Sequence, residues 1–119
     1  MRKCRVADQT QTTVRTYEVK VRGFETTPVR VCARTPSKAR VQAWGMYCHY
    51  DDACTFQHFL SISSLRRIPN PEGVGERVVI AGLPAIRVLG NGGQYVAFMR
   101  DDSDAIFYSH PADVELEHA

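Results

Sequence analysis

From Val14 onward, apolar and polar positions alternate with period two: Tyr17, Val19 and Val21 fall on one side, Glu18, Lys20 and Arg22 on the other. Alternation of this kind marks a strand with one buried face, because successive side chains of an extended backbone point in opposite directions. Gly23 interrupts it, and a second alternation sets Val29, Val31 and Ala33 against Arg30, Cys32 and Arg34. Two such runs around a short glycine-containing connection predict an antiparallel hairpin. Thr35-Pro36-Ser37 then carries helix-start chemistry, with Thr35 as N-cap and Pro36 at the first helical position. At ~100° per residue, Ala39, Ala43, Met46, Tyr47 and Tyr50 share one stripe, opposite Lys38, Gln42, Gly45 and His49. The pattern predicts an amphipathic helix of about four turns, stopping at Asp51-Asp52, whose charges oppose the helix dipole. Phe56, Phe59 and Leu60 add one further apolar turn, and residues 60–68 read as a third strand of irregular register.

Pro69-Asn70-Pro71-Glu72-Gly73-Val74-Gly75 is the clearest linker in the chain. Beyond it lie four short apolar runs, residues 77–80, 85–89, 95–99 and 105–108. Between them stand Gly82-Leu83-Pro84, Gly90-Asn91-Gly92-Gly93 and Asp101-Asp102-Ser103-Asp104. Closely spaced strands with turn chemistry between them predict a meander or a small SH3-like barrel. The expected class is therefore α+β. A flexible arm over residues 1–13 precedes a ββαβ module over 14–68, with one amphipathic helix on an antiparallel sheet. A linker over 69–75 leads to a small SH3-like β-barrel or meander over 76–115. About 44 residues bury little surface by themselves, and these strands are apolar on both faces in places. The second module is thus expected to close on itself and to pack against the first.

Composition narrows the class of protein. A chain of 119 residues, 44% hydrophobic and 24% charged, suits one ordinary domain or two very small ones, and excludes collagen, coiled coil and wholesale disorder. No apolar run approaches the ~18–20 residues that span a bilayer, and Met1-Arg2-Lys3-Cys4-Arg5 has no apolar stretch behind it. A cytoplasmic protein with no membrane partner is expected. In that compartment Cys4, Cys32, Cys48 and Cys54 stay reduced rather than forming a disulfide framework. The net charge of +2 conceals an asymmetry. Residues 1–70 hold 12 Lys/Arg against 5 Asp/Glu, whereas residues 71–119 hold 3 against 8. A basic half attracts phosphate or acidic protein; the acidic half opposes nonspecific binding to nucleic acid.

Strand parity places Lys20, Arg22, Arg30 and Arg34 on one face of the sheet, and Arg66 and Arg67 extend the patch along the third strand. A two-dimensional array of cations on a sheet is a candidate surface for phosphate or acidic protein. The competing reading is a solvated face balanced by cross-strand Glu18–Arg pairs, or one covered by the acidic second module. Outward positions of the first two strands carry no aromatic residue, which disfavours base stacking of the kind used by RNA-recognition sheets. The acidic loop with Asp101, Asp102 and Asp104 is the second candidate surface; it lacks the regular ligand offsets and distal Glu of a calcium loop. Cys48, Cys54 and His58 supply soft ligands, but Cys48 and His49 diverge on a helix and no CxxC knuckle is present, so no metal site is expected. A Cys54–His58 nucleophile lacks an identifiable third group and oxyanion hole. Trp44 is expected to wedge at an interface, against the second module. No catalytic residue and no cofactor are expected.

The run Thr16-Tyr17-Glu18-Val19-Lys20-Val21, with Ala33-Arg34-Thr35-Pro36-Ser37-Lys38-Ala39-Arg40, Ala43-Trp44 and Phe56-Gln57-His58-Phe59-Leu60, resembles small proteins of phages and prophages of alphaproteobacteria. Residues 82–88 and 95–98, with His110-Pro111-Ala112-Asp113-Val114, resemble tails found with them, so that the likeness spans most of residues 14–115. The resemblance implies a short, phage-encoded, non-enzymatic binder that acts in the host cell. Its role would be similar to that of anti-CRISPR proteins, docking on a host protein or nucleoprotein complex. A nucleic-acid-binding accessory protein using the basic sheet face is the alternative.

Overall fold

Two antiparallel sheets and two helices make up the computed structural model, which describes residues 13–116 and is α+β. The chain divides into two compact units, Arg15–Pro69 and the residues from Asn70 onward together with Val14. The arm expected over residues 1–13 lies outside the described residues apart from Thr13.

The first unit runs β1 (Arg15–Val21), β2 (Val29–Ala33), α1 (Pro36–Tyr47), α2 (Phe56–Ile62) and β3 (Ser63–Ile68). Its sheet has the order β2-β1-β3, so the two helices carry the chain from one side of β1 to the other. Pairing Tyr17 with Val31 and Val19 with Val29 puts the alternating apolar set of both strands on one face. Against that face pack Ala39 and Ala43 of α1 and Phe59 of α2, all buried, around Tyr17, Val19, Val21, Val31 and Ala33. Alanines at the two contact positions let α1 approach the strands closely. The expected start of α1 is present in full: Pro36 opens the helix and Thr35 accepts the Lys38 amide at 3.2 Å.

Three features differ from the expected ββαβ module. α1 stops at Tyr47 rather than at Asp51, because the amides of His49 and Tyr50 turn back to the carbonyls of Met46 and Tyr47 in tightened turns. Residues 60–62 are helical, since Thr55 caps a second helix by accepting the His58 amide at 3.1 Å, and the third strand begins only at Ser63. Trp44 packs inside its own unit: its indole Nε1 donates to the Cys54 carbonyl at 2.9 Å, and its ring lies 5.4 Å from that of Phe56.

The second unit holds β4 (Arg77–Ile80), β5 (Leu83–Gly92), β6 (Tyr95–Arg100), β7 (Ile106–Ser109), a 3-10 turn (Pro111–Asp113) and β8 (Val114–Leu116). The five strands lie in the order β7-β6-β5-β4-β8, and β7 and β8 form the edges of an open sheet. Val78, Ile80, Ala85 and Phe98 form one buried cluster, flanked by Phe107 and Val114, and Ile86, Val88 and Met99 are buried as well. Ala81 and Gly82 both take positive φ, 55° and 78°, and so make the tight two-residue turn that joins β4 to β5. Pro84, expected in a turn, lies inside β5 opposite Val79. It is tolerated because Ile80 and Leu83 close the turn, so the pair one step away exchanges no ladder bonds, and a missing N–H costs nothing toward β4. Residues 90–92, expected as a turn, continue β5 past a register shift between Arg87 and Asn91.

Candidate functional site

The face of the first unit's sheet opposite the helices carries the charge expected there, in an order the register defines. Glu18 of β1 stands between Arg30 of β2 and Arg66 of β3, its direct partners on either side. Arg66 donates to Oε1 of Glu18 at 2.9 Å, and the Arg30 Nε lies 3.9 Å from Oε2. The Glu18 side chain is only 9% exposed, whereas those of Arg30 and Arg66 are 57% and 69% exposed. One nearly buried carboxylate therefore hydrogen-bonds the Arg66 guanidinium and lies within ion-pair reach of that of Arg30, while both arginine side chains stay mostly exposed. Lys20, further along β1, and Arg22, one residue past its end, are exposed as well.

Two of the six expected cations do not join this group. Arg34 lies one residue beyond β2 and is only 7% exposed, so it offers no open charge. Arg67 pairs in register with Tyr17 and thus falls on the face of the helices, since neighbouring β3 positions alternate. The surface that geometry brings together is Lys20, Arg22, Arg30 and Arg66 around Glu18. None of the register positions on this face, Thr16 and Cys32 or Ser64 and Ile68 included, is aromatic.

The acidic loop is less open than its sequence implies. Arg77 donates through both terminal nitrogens to the two carboxylate oxygens of Asp101, each at 2.7 Å, and both side chains are largely shielded. Asp101 thus closes the β6–β7 connection onto β4, and Arg100 beside it donates to the carbonyls of Ile80 and Leu83 at 3.0 Å. Asp102 and Asp104 are exposed.

Cys48, Cys54, His49 and His58 converge on no ligand set. The Cys48 Sγ lies 4.0 Å from the Cys54 carbonyl, and the Cys54 thiol donates to the Thr55 carbonyl at 3.4 Å. Burial raises the Cys54 thiol pKa above its ordinary value, helped by Asp51 and Cys48, which disfavours the thiolate. Among the described residues no group of three His, Cys, Asp or Glu is placed to hold a metal ion.

Periodicity alone does not reveal one further feature of the first unit. Phe24, Val29, Met46, Tyr47, His49 and Tyr50 line a groove of about 690 Å³ between the β1–β2 connection and the end of α1. Met46 and Tyr50, expected on the core stripe, are 46% and 83% exposed; Tyr50 lies past the end of α1, where the stripe no longer holds, whereas Met46 is still within the helix. Phe24, directly after Gly23 at the hairpin apex, was the available signal: a large aromatic in a turn has no strand face to bury it.

No helix among the described residues is long and apolar enough to cross a membrane. Compared with known protein families, curated proteins and solved structures, the chain matches none.

Proposed function

We propose that this protein is a non-enzymatic binding protein that docks on a nucleoprotein effector of a bacterial host, as an inhibitor similar in role to anti-CRISPR proteins. The contact surface in this reading is the basic sheet face. The observation that carries it is the fan of Arg30 and Arg66 about the Glu18 carboxylate, with Lys20 and Arg22 beside it. A guanidinium bonded at one end, as that of Arg66 is, loses less freedom on binding an anion and keeps the fork geometry suited to phosphate or carboxylate. A face without aromatic residues offers charge contacts rather than base stacking. The phage and counter-defence setting rests on the resemblance of residues 14–115 to small phage proteins.

Direct binding of nucleic acid by the same face is the second reading, favoured by the same exposed arginines. Salt separates the two. Fluorescence anisotropy with free single-stranded RNA and duplex DNA should show no appreciable binding at ~150 mM salt, where exposed charges are screened beyond ~8 Å. Tight binding at low salt that falls steeply and linearly on a log–log plot would instead identify a nucleic-acid binder.

For the second unit we propose an SH3-like arrangement. Supporting this are the long, bulged β5, the 3-10 turn before β8, and the return of that last strand to pair with β4.

A further inference from the structure

We propose that the depression at one end of the basic sheet face is a subsite for a single phosphate group of a nucleic-acid strand, an inference that rests on that face being the contact surface for a nucleoprotein. The depression has a volume of about 270 Å³, and Lys20, Arg22 and Ser64 line it together with Ser61, Ser63 and Glu25. Register explains the grouping. Ser64 of β3 is the direct partner of Lys20 on β1. The Arg22 amide donates to the Ile62 carbonyl at 2.7 Å, which carries the pairing one step past the end of both strands. Two cations and a hydroxyl from neighbouring strands therefore border one concavity.

Their donors are uncommitted. Among the described residues neither Lys20 nor Arg22 has a carboxylate at ion-pair distance, unlike Arg30 and Arg66, which share Glu18. The Ser64 hydroxyl likewise makes no hydrogen bond among them, whereas those of Ser61 and Ser63 donate to the carbonyls of His58 and Phe59 at 2.6 and 2.7 Å. An ammonium, a guanidinium and a hydroxyl are the side-chain donors that proteins place on phosphate oxygens. Coming from two strands, they suit the tetrahedral oxygens of a phosphate better than a planar carboxylate. No aromatic ring lines the depression, so it offers a base nothing to stack on. Glu25 is the opposing charge. Its own backbone amide and that of Gly23, which donates to Oε1 at 3.1 Å, hold its carboxyl below the usual range and so ionised at neutral pH. Two cations against one carboxylate still leave the depression net positive. One such contact is too weak to retain free nucleic acid at ~150 mM salt, which agrees with docking on a complex.

Four probes titrated separately into the full chain by NMR at about 10 mM salt, where charges are little screened, test the proposal. They are the dinucleotide TpT, with an internal phosphate; thymidine monophosphate, with a terminal one; thymidine; and acetate. A phosphate compound should saturably shift the amides of Lys20, Arg22 and Ser64, and thymidine and acetate should bind at least about threefold more weakly. The tighter of TpT and the monophosphate tells an internal phosphate from a terminal one. Ser64→Ala leaves the charge of the face unchanged and should weaken binding about twofold to tenfold. Glu25→Gln should strengthen it about twofold to fivefold. No saturable shift, acetate bound as tightly as the phosphates, or unchanged affinity in either variant would overturn the subsite. If a nucleoprotein is nonetheless captured through Arg22 and Arg30, the reading of the face survives that failure; saturable binding without such capture would overturn that reading and leave the subsite standing.

Discussion

Arg66 donates to the Glu18 carboxylate at 2.9 Å across β3 and β1, joining residues 48 positions apart in the sequence. The bond sets both the geometry and the net charge of the basic face. Because the carboxylate is nearly buried and its two partners are mostly exposed, its value to stability is modest, while its removal leaves the face one charge more positive. Glu18→Gln should therefore cost about 1 kcal/mol in urea unfolding. It should also steepen the salt dependence of any binding to a polyanion. Unchanged stability together with an unchanged salt slope would show that Arg30 and Arg66 are positioned by something other than Glu18.

The acidic loop divides into a structural and a solvent-exposed half. Asp101→Asn loses one side of a two-pronged, partly shielded ion pair with Arg77 and should cost about 1–2 kcal/mol. Asp102→Asn, at an exposed position, should stay within about ±0.5 kcal/mol. Equal effects of the two substitutions on thermal unfolding would contradict this division.

Cys54 carries a pH signature. Its thiol pKa is raised in the folded chain, chiefly by burial, so folding favours the protonated form. The corresponding stability is present below the ordinary thiol pKa and is lost as pH rises through the folded value. Alkylation by iodoacetamide at neutral pH, followed residue by residue with mass spectrometry, should leave Cys54 behind the half-buried Cys48. Equal rates would mean that the loop between α1 and α2 opens faster than the reagent acts.

Much of the first unit was legible from local rules. The β1–β2 hairpin follows from strict alternation, and the start of α1 from Thr35 and Pro36, because both signals act within a few residues. Residues 60–62 misled, since Leu60 and Ile62 alternate like a strand while the Thr55 cap continues a helix through them. Arg66 and Arg67, neighbours in one strand, fall on opposite faces by parity alone, and only the pairing with β1 shows that it is Arg67 that joins Tyr17 on the helix side. Arg34 failed for a different reason, lying past the strand end where parity no longer governs exposure. β8 is three residues of ordinary composition whose only signature is its pairing with β4, a non-local fact. The aromatic groove depends on where α1 ends, which periodicity cannot locate.

Charge reversal on the basic face tests the central claim most directly. Affinity capture from nuclease-treated lysate of a bacterial host would compare the wild-type chain with an Arg22→Glu/Arg30→Glu variant. Arg22→Glu should stay within about ±0.5 kcal/mol, whereas Arg30→Glu sets a second carboxylate opposite Glu18 and should cost about 1 kcal/mol, so urea unfolding first verifies that the variant is folded. The expected result is a nucleoprotein complex retained by the wild type after nuclease and lost from the folded variant. Retention of the same complex by the variant would contradict the account and move the functional surface away from this sheet.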